Sequence, residues 1–307
     1  MQTQDLYPSR TGHQTRCLER QDPVIHQHYR DGAPLSKAQL QQYNREGYLL
    51  LPNLFGRAEV SRMLQTLEQM QQDSDLMASE RAISEPGSGA LRSVFQVHLH
   101  NDLCRRVAAD PRITDIARFI LNDELYIHQS RLNFKPGFNG REFYWHSDFE
   151  TWHVEDGMPR MRALSASILL TDNTLFNGSL MVMPGSHRTY ISCAGETPEH
   201  YYRDSLKQQT VGTPDNHSLA RLHQRHGIRS TAAPAGSVLL FDCNLMHGSS
   251  SNISPQPRSN LFFVYNAVSN RCVKPYSPCP PRPEFLATRD SFEVLECSAE
   301  PPAREVG

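Results

Sequence analysis

Two histidines and one aspartate have the residue types and the spacing of a metal site. His146 and Asp148 lie two residues apart, and His247 follows about a hundred residues later. If the first two lie in a β-strand, their side chains point to the same face and can bind one ion together. A third ligand from a neighbouring strand would complete a facial triad with open positions, which is typical of non-haem Fe(II) oxygenases.

The residues that follow the second histidine favour the same chemistry. An apolar strand is predicted to open at Gly236 and to carry His247 at its end, and Arg258 follows eleven residues later at the start of another strand. A planar guanidinium binds a carboxylate through two parallel hydrogen bonds. We therefore expect Arg258 to bind a dicarboxylate beside the metal.

The whole pattern resembles the phytanoyl-CoA dioxygenase-like branch of the 2-oxoglutarate-dependent Fe(II) oxygenases. Within that branch, residues 129–138 and 143–165 are similar to the ectoine hydroxylases, and the resemblance extends from about Leu35 to Arg271. It implies Fe(II) as cofactor, 2-oxoglutarate and O2 as cosubstrates, and succinate and CO2 as products. The implied reaction converts ectoine to 5-hydroxyectoine, a compatible solute made under osmotic stress.

The resemblance also implies roles for individual residues. His146, Asp148 and His247 would be the catalytic iron ligands. Fe(II), one aspartate and 2-oxoglutarate together carry one net negative charge, so at least one buried cation is expected near the cosubstrate's distal carboxylate. Lys135 and Arg258 match the family's lysine and arginine there, and which of them forms the main salt bridge stays open.

Further polar and aromatic residues complete the expected pocket. Asn133 and Ser249 are expected to add hydrogen bonds to the cosubstrate carboxylate. Gln129 and Trp152 match substrate positions of the family, and an aromatic wall suits a flat cationic amidine such as ectoine. Phe262 shares a strand face with Arg258 and is a further candidate for that wall.

One strand has an informative alternation of polar and apolar residues. Gln129, Arg131, Asn133 and Lys135 fall on one face of the strand that starts at Leu125. Such a face is ordinarily exposed to solvent. Because this strand leads within about ten residues to the metal ligands, we instead expect it to line a wet cavity in which a charged substrate provides partners.

The predicted elements indicate a mainly β protein, a double-stranded β-helix (jelly roll, cupin-like) flanked by α-helices. Helices are expected at residues 37–46 and 57–72, with Ser36 and Gly47 as caps of the first. The candidate strands cover residues 48–52, 125–134, 142–148, 164–171, 179–183, 237–243 and 260–268.

The chain of 307 residues is expected to form one catalytic domain, residues 35–273, because no linker divides its middle. Residues 1–34 are interpreted as a polar, partly disordered arm and residues 274–307 as a Pro-rich tail. A polar insertion at about 186–229 is a candidate lid over the substrate.

Composition limits the other classes of function. Seven cysteines without a Cys-x-x-Cys pair indicate reduced thiols rather than disulfides or structural zinc. A net charge of −2 predicts no nucleic-acid partner. No apolar run approaches the roughly 18 residues of a membrane span, and the first residues lack a secretory signal. We expect a cytoplasmic protein without a membrane partner, and a homodimer is consistent with the resemblance.

Several other polar residues are interpreted as structural. Glu150, Glu155 and Asp156 are expected on a solvated polar loop rather than as an acid/base pair. His153 and His187 are expected to be structural or to support the ligands.

Two alternative functions remain from the sequence: a 2-oxoglutarate-dependent hydroxylase of another small amino-acid derivative, and a non-enzymatic jelly-roll binding or sensor protein.

Overall fold

A computed structural model describes residues 4–296 of the chain. The described residues form thirteen strands and nine α-helices. The strands are β1 Arg16–Glu19, β2 Tyr48–Leu51, β3 Ala82–Ser84, β4 Leu91–Phe95, β5 Leu125–Lys135, β6 Phe143–His146, β7 Ala163–Leu169, β8 Leu180–Val182, β9 Thr189–Ser192, β10 Arg229–Ser230, β11 Val238–Asp242, β12 His247–Ser249 and β13 Arg258–Ala267. The helices are α1 Lys37–Glu46, α2 Arg57–Gln72, α3 Ser74–Ala78, α4 Val97–His100, α5 Asp102–Ala108, α6 Pro111–Leu121, α7 Asp148–Thr151, α8 Tyr202–Ser205 and α9 Asn216–His226.

The strands form three antiparallel sheets. The largest has the order β2-β11-β7-β13-β5-β4-β3, a four-stranded sheet has the order β10-β8-β12-β6, and β1 pairs with β9. The first two sheets are the layers of a jelly roll, with open edges, and helices flank it. The predicted fold class is therefore confirmed.

Successive side chains of the largest sheet point to opposite faces, and each face packs in a different hydrophobic cluster. On β11, Val238 and Leu240 pack with the helices in the main core, whereas Leu239 and Phe241 point to the inner side with Phe262 of β13. This alternation is the period of two expected for a strand buried on both faces. The inner side of the same sheet faces the polar site described below.

Local signals explain the first helix, as predicted. Ser36 accepts from the backbone N–H of Gln39, and the Gln39 side chain accepts from the Ser36 backbone in return. The helix ends at Gly47, whose φ of 78° suits a residue without a Cβ. A side chain at this glycine would also collide with the buried His187 ring. The predicted helix at 57–72 is confirmed as well.

The N-terminal segment differs from the expected disordered arm. Tyr7 and Arg10 are buried, and β1 adds to β9 in a small sheet. The ion-pair partners of Arg10 and the strand that pairs with β1 lie more than a hundred residues away in the chain, so polar composition alone could not reveal them. Residues 1–3 of that arm lie outside the described residues.

The C-terminal segment also packs against the domain in its described part. Gln129 Nε2 donates to the Leu286 carbonyl oxygen at 2.7 Å, and the Thr288 N–H donates to the His128 carbonyl at 2.8 Å. Residues 297–307 of the predicted tail, including Cys297, lie outside the described residues. The six cysteines at 4–296 are all unpaired. Within the same range no helix is both long and apolar enough to span a membrane.

Candidate metal centre and cosubstrate pocket

The three predicted metal ligands converge at the end of the four-stranded sheet. His146 is the last residue of β6, and His247 is the first residue of β12, directly opposite it in the antiparallel pair. The two imidazole ring centres lie 4.3 Å apart. Asp148 follows through one intervening residue, so strand pairing and a tight turn bring all three side chains together.

The local backbone at two of these ligands differs from the prediction. The strand expected at 142–148 ends at His146, and Asp148 is the first residue of helix α7. The two side chains therefore meet across a strand-to-helix turn rather than on one face of a strand. Likewise, His247 does not end the apolar strand β11. A turn at 243–246 carries the chain from the large sheet to the smaller one.

The geometry of the three side chains fits one divalent cation. Their ligand atoms all lie within 4.8 Å of one another. His146 Nε2 is 3.6 Å from Asp148 Oδ1, and His247 Nε2 is 3.8 Å from Asp148 Oδ2. These separations are too long for direct hydrogen bonds and suit an ion bound between the groups. Two nitrogens and one carboxylate oxygen are a donor set that suits iron.

The second nitrogen of each imidazole is held by the backbone. His146 Nδ1 lies 2.6 Å from the Tyr144 carbonyl oxygen, and His247 Nδ1 lies 2.9 Å from the Leu245 carbonyl oxygen. A carbonyl can only accept, so each Nδ1 carries the hydrogen. Both Nε2 atoms are left with a lone pair directed at the metal position, as in other histidine-ligated metal sites.

The protonation states of Asp148 and His247 also suit metal binding. Burial alone would raise the pKa of Asp148, but His247, His146 and Arg131 together hold it below its usual value. Burial, together with the neighbouring His146, lowers the pKa of His247 to about 4. At neutral pH the aspartate is ionised and His247 is neutral, which are the forms that bind metal.

A hydrogen-bond chain links the two ligand-bearing turns. Ser147, between two ligands, donates through Oγ to Asn244 Oδ1 at 2.9 Å. Asn244 Nδ2 donates to the carbonyl oxygens of His187 and Thr189. The sequence analysis did not find Asn244, because an asparagine in a turn gives no signal of its distant partner.

The predicted cosubstrate residues form a buried cationic pocket. Lys135 on β5 and Arg258 on β13 are paired across the strands, and both are almost fully buried. Lys135 Nζ donates to Ser249 Oγ at 2.8 Å, and Arg258 Nη2 donates to Asn133 Oδ1 at 2.7 Å. Ser249 lies two residues after His247 on β12, so the cationic pocket adjoins the metal centre.

These two cations lack an anionic hydrogen-bond partner in the described residues. Burial, together with Arg258 and Arg92, lowers the pKa of Lys135 to about 6. Burial, with Arg131 and Arg92, lowers the pKa of Arg258 to about 9. Arg258 Nε is buried without a hydrogen-bond partner. An unsatisfied buried cation is costly, so the pocket fits a carboxylate-bearing ligand.

A cavity of about 70 Å³ opens beside the metal ligands. The predicted residues Gln129 and Trp152 line it together with His146 and Asp148. The predicted residue Phe262 does not line this cavity, but the Arg131 guanidinium, which does, lies 4.9 Å from its ring centre. The other lining residues are Ser93, Phe95, Arg131, Phe143, Thr151, Ser205, Leu206, Gln209 and Arg282.

Two cationic residues of this cavity were not among the predicted ligand-binding residues. Arg131 lies on the predicted polar face of β5, and its charge interacts with Asp148. Arg282 comes from the C-terminal segment and donates to both oxygens of Asp156, at 2.7 and 2.6 Å. The alternation of β5 placed Arg131 on the face expected to line the cavity but gave it no individual role, whereas nothing in the Pro-rich stretch indicated that Arg282 returns to the site.

The prediction of a solvated acidic loop is wrong. Glu150, Glu155 and Asp156 are buried, on α7 and on the π-helical turn Trp152–Asp156 that follows it. Each forms an ion pair with an arginine, Arg10 or Arg282. His153 and His187 are buried and hydrogen-bonded to backbone carbonyls, outside the metal group.

Comparison with known proteins gives consistent matches. The family model described as phytanoyl-CoA dioxygenase (PhyH) matches residues 43–260. Ectoine dioxygenase of Stutzerimonas stutzeri is 55% identical over 292 residues, 95% of this chain and 97% of the relative. Ectoine dioxygenase of Halomonas elongata is 49% identical over 286 residues, 92% of this chain and 86% of the relative.

Solved structures are similar over the same extent. The crystal structure of EctD from S. alaskensis with 2-oxoglutarate and 5-hydroxyectoine superimposes with a TM-score of 0.87 at 50% identity, covering 95% of this chain and 97% of that one. The carbocyclase SnoK of nogalamycin biosynthesis, at 19% identity and a TM-score of 0.61, covers 85% of this chain and 97% of its own, and shares the fold.

Proposed function

Because this chain belongs to the phytanoyl-CoA dioxygenase family, we propose that it is a 2-oxoglutarate-dependent Fe(II) hydroxylase that converts ectoine to 5-hydroxyectoine. The reaction consumes O2 and 2-oxoglutarate and releases succinate and CO2. The observation that carries this conclusion is the convergence of His146, Asp148 and His247 beside a buried cationic pocket. The similar crystal structure of EctD from S. alaskensis is one with 2-oxoglutarate and 5-hydroxyectoine.

Three side chains of this chain would hold the iron. His146 and His247 would bind through Nε2, because each Nδ1 is engaged with a carbonyl oxygen. Asp148 would bind through a carboxylate oxygen that is ionised at neutral pH. When bound, Fe(II) supplies the redox chemistry by which O2 is reduced and the substrate hydroxylated, while the protein orients the reactants and excludes water.

The buried cationic pocket would hold the distal carboxylate of 2-oxoglutarate. Lys135 and Arg258 place an amino group and a guanidinium at paired positions of β5 and β13, and a bound carboxylate would favour the charged form of both. Asn133 and Ser249 hold those cations in place by hydrogen bonds of 2.7 and 2.8 Å. A dicarboxylate bound here compensates the desolvation of both cations, and this complementarity gives the pocket its specificity for the cosubstrate.

The lining of the neighbouring cavity suits a small zwitterion. Trp152 offers an aromatic face for the cationic amidine of ectoine, and Gln129 offers an amide for hydrogen bonding. Arg131 provides positive charge for the substrate carboxylate, whereas Arg282 also lines the cavity but is already paired with Asp156. The Phe262 ring lies under the Arg131 guanidinium and would affect substrate binding by positioning that arginine.

Mass spectrometry of the reaction tests this function directly. Purified protein with Fe(II), 2-oxoglutarate, O2 and ectoine should yield a product 16 Da heavier than ectoine together with an equal amount of succinate. A mass gain on another small amino-acid derivative, with none on ectoine, would assign a different substrate. The absence of succinate with every such substrate would favour a non-enzymatic binding protein.

Homodimer formation, a cytoplasmic location and the proposed arm, domain, lid and tail boundaries remain predictions.

A further inference from the structure

Two buried arginines near the N-terminus contact the two segments that carry the metal ligands. They belong to residues 5–22, which we call the N-terminal strap. The side chains of Arg10 and Arg20 are 1% and 4% exposed, so both charges are withdrawn from solvent. The charge of each arginine is compensated by a carboxylate that lies within five residues of a metal ligand, Glu150 for Arg10 and Asp242 for Arg20. This placement suggests a role at the metal centre in addition to a contribution to stability.

Arg10 holds the helix that starts at the aspartate ligand. Its Nη2 and Nε donate to the two carboxylate oxygens of Glu150 at 2.6 and 3.0 Å. Glu150 lies two residues after Asp148 on the single-turn helix α7. Nη1 of the same arginine donates to Glu155 at 2.6 Å, on the π-helical turn that continues this helix. One guanidinium thus fixes both halves of the segment that follows the ligand.

The surroundings of this ion pair are closely packed. Gly212, with φ of 74°, lies against it, and a Cβ at that position would collide with both Arg10 Nη2 and Glu150 Oε2. The ring of Tyr7, also in the strap, contacts the ring of Phe149 at 5.3 Å between centres, and Phe149 is the residue next to Asp148. The strap therefore restrains the start of α7 by charge and by packing.

Arg20 holds the turn that leads to the second histidine ligand. Its Nη1 donates to Asp242 Oδ1 at 2.8 Å. The same oxygen accepts from the Asn244 N–H at 2.8 Å, and Asn244 in turn accepts from Ser147 Oγ. This chain runs from the strap to the residue between His146 and Asp148. In addition, the Phe149 N–H donates to the Cys243 carbonyl at 2.9 Å and joins the two turns directly.

We propose that Arg10 and Arg20 are positioning residues of the metal centre, which set the orientation of Asp148 and of the turn before His247. Neither arginine is a ligand to the metal. A carboxylate ligand on a four-residue helix has little support from its own backbone, and contacts behind metal ligands typically change metal affinity ten- to hundredfold. The proposal rests on the proposed function, since it assumes that the triad binds a divalent metal.

Metal affinity of matched variants tests the proposal. We compare Arg10→Met and Arg20→Met with Arg160→Met, whose ion pair with Asp22 also joins the strap to the domain but does not contact a ligand-bearing turn. The readouts are the dissociation constant for Co(II), the Co(II) absorption spectrum and the melting temperature of the metal-free protein. We expect a roughly ten- to hundredfold weaker Co(II) affinity and an altered spectrum for the first two variants. Arg160→Met should retain affinity within about twofold.

Wild-type Co(II) affinity and spectrum in folded Arg10→Met and Arg20→Met would overturn the proposal, even if both melted at lower temperature. If these variants do not fold, Glu150→Gln and Asp242→Asn replace them, because each keeps an acceptor oxygen and removes the charge. We expect a smaller loss of Co(II) affinity in both, and unchanged affinity would again overturn the proposal. Failure of wild-type protein to bind Co(II) or to hydroxylate ectoine would instead refute the proposed function.

Discussion

Lys135 and Arg258 are directly opposite each other on the antiparallel strands β5 and β13, and both side chains are buried. Their hydrogen bonds go to neutral groups, the Ser249 hydroxyl and the Asn133 amide. Two adjacent basic groups withdrawn from water destabilise the folded protein unless an anion joins them, because each must either keep a buried charge or give up its proton. The stability of the ligand-free protein is thus reduced at the position that we propose to bind the cosubstrate.

The first prediction is that Lys135→Met stabilises the ligand-free protein near neutral pH. The pKa of Lys135 is about 6 in the folded protein, below the value of about 10.4 in an unfolded chain. Between these values the unfolded chain binds the proton and the folded one does not, so the folded state loses stability as pH falls towards 6. At about 1.4 kcal/mol per pKa unit, less the lost hydrogen bonds, we expect a gain of about 2 kcal/mol near pH 7.

Urea unfolding of metal-free protein near pH 6.5 and near pH 9.5 measures this effect. The advantage of Lys135→Met should shrink at the higher pH, and added 2-oxoglutarate should stabilise the wild type but not the variant. A variant that is less stable than the wild type at both pH values would contradict the prediction.

A second prediction concerns the planar shape of the Arg258 guanidinium. Arg258→Lys keeps the positive charge but loses the planar fork that donates to Asn133. We expect the KM for 2-oxoglutarate to rise roughly ten- to hundredfold, with a smaller change in the KM for ectoine. Steady-state kinetics with each substrate varied in turn provides the test. A KM for 2-oxoglutarate within twofold of the wild type would remove Arg258 from the cosubstrate pocket.

Trp152 provides a third prediction, about the substrate alone. Trp152→Ala removes the aromatic wall of the cavity and should raise the KM for ectoine roughly tenfold or more, whereas Trp152→Phe should restore most of the affinity. The KM for 2-oxoglutarate serves as the internal control and should change less than about threefold. An equal rise in both values would indicate a general loss of structure, because Trp152 also packs in a core cluster.

A fourth prediction tests the link between the two ligand-bearing turns. Asn244→Ala removes the acceptor of Ser147 and two donors to backbone carbonyls. We expect a roughly tenfold loss of divalent-metal affinity and about 1–3 kcal/mol less stability. Ser147→Ala removes only one of these bonds and should give a smaller loss. Equal metal affinity in both variants and the wild type, measured by titration with Co(II), would contradict this role.

Much of the site could be predicted because local periodicity determines which side chains share a face. The alternation on β5 placed Arg131, Asn133 and Lys135 on one face, and in the structure all three point to the inner side of the sheet. Arg131 lines the cavity. Lys135 donates to Ser249, and Asn133 accepts from Arg258. The same rule holds for Phe262 and Arg258 on β13. A strand with a period of two fixes side-chain direction over many residues, whatever the rest of the chain does.

Features that depend on distant partners could not be predicted in the same way. Arg10 is one polar residue in a polar stretch, and only its partners Glu150 and Glu155, 140 and 145 residues later, explain its burial. Asp148 lies on a helix rather than on a strand because α7 begins immediately after Ser147, and a four-residue helix has almost no sequence signature. Arg282 likewise reaches the site from a Pro-rich segment with no periodicity.

The most direct test of the metal centre is an anaerobic titration of the protein with Fe(II) in the presence of 2-oxoglutarate, followed by the visible charge-transfer absorption of the complex. We expect one Fe(II) per chain for the wild type and for His223→Ala, whose histidine is exposed on α9. We expect no such complex for His146→Ala, Asp148→Ala or His247→Ala. One equivalent of Fe(II) bound with an unchanged spectrum in any of these three variants would contradict the assignment of the iron ligands.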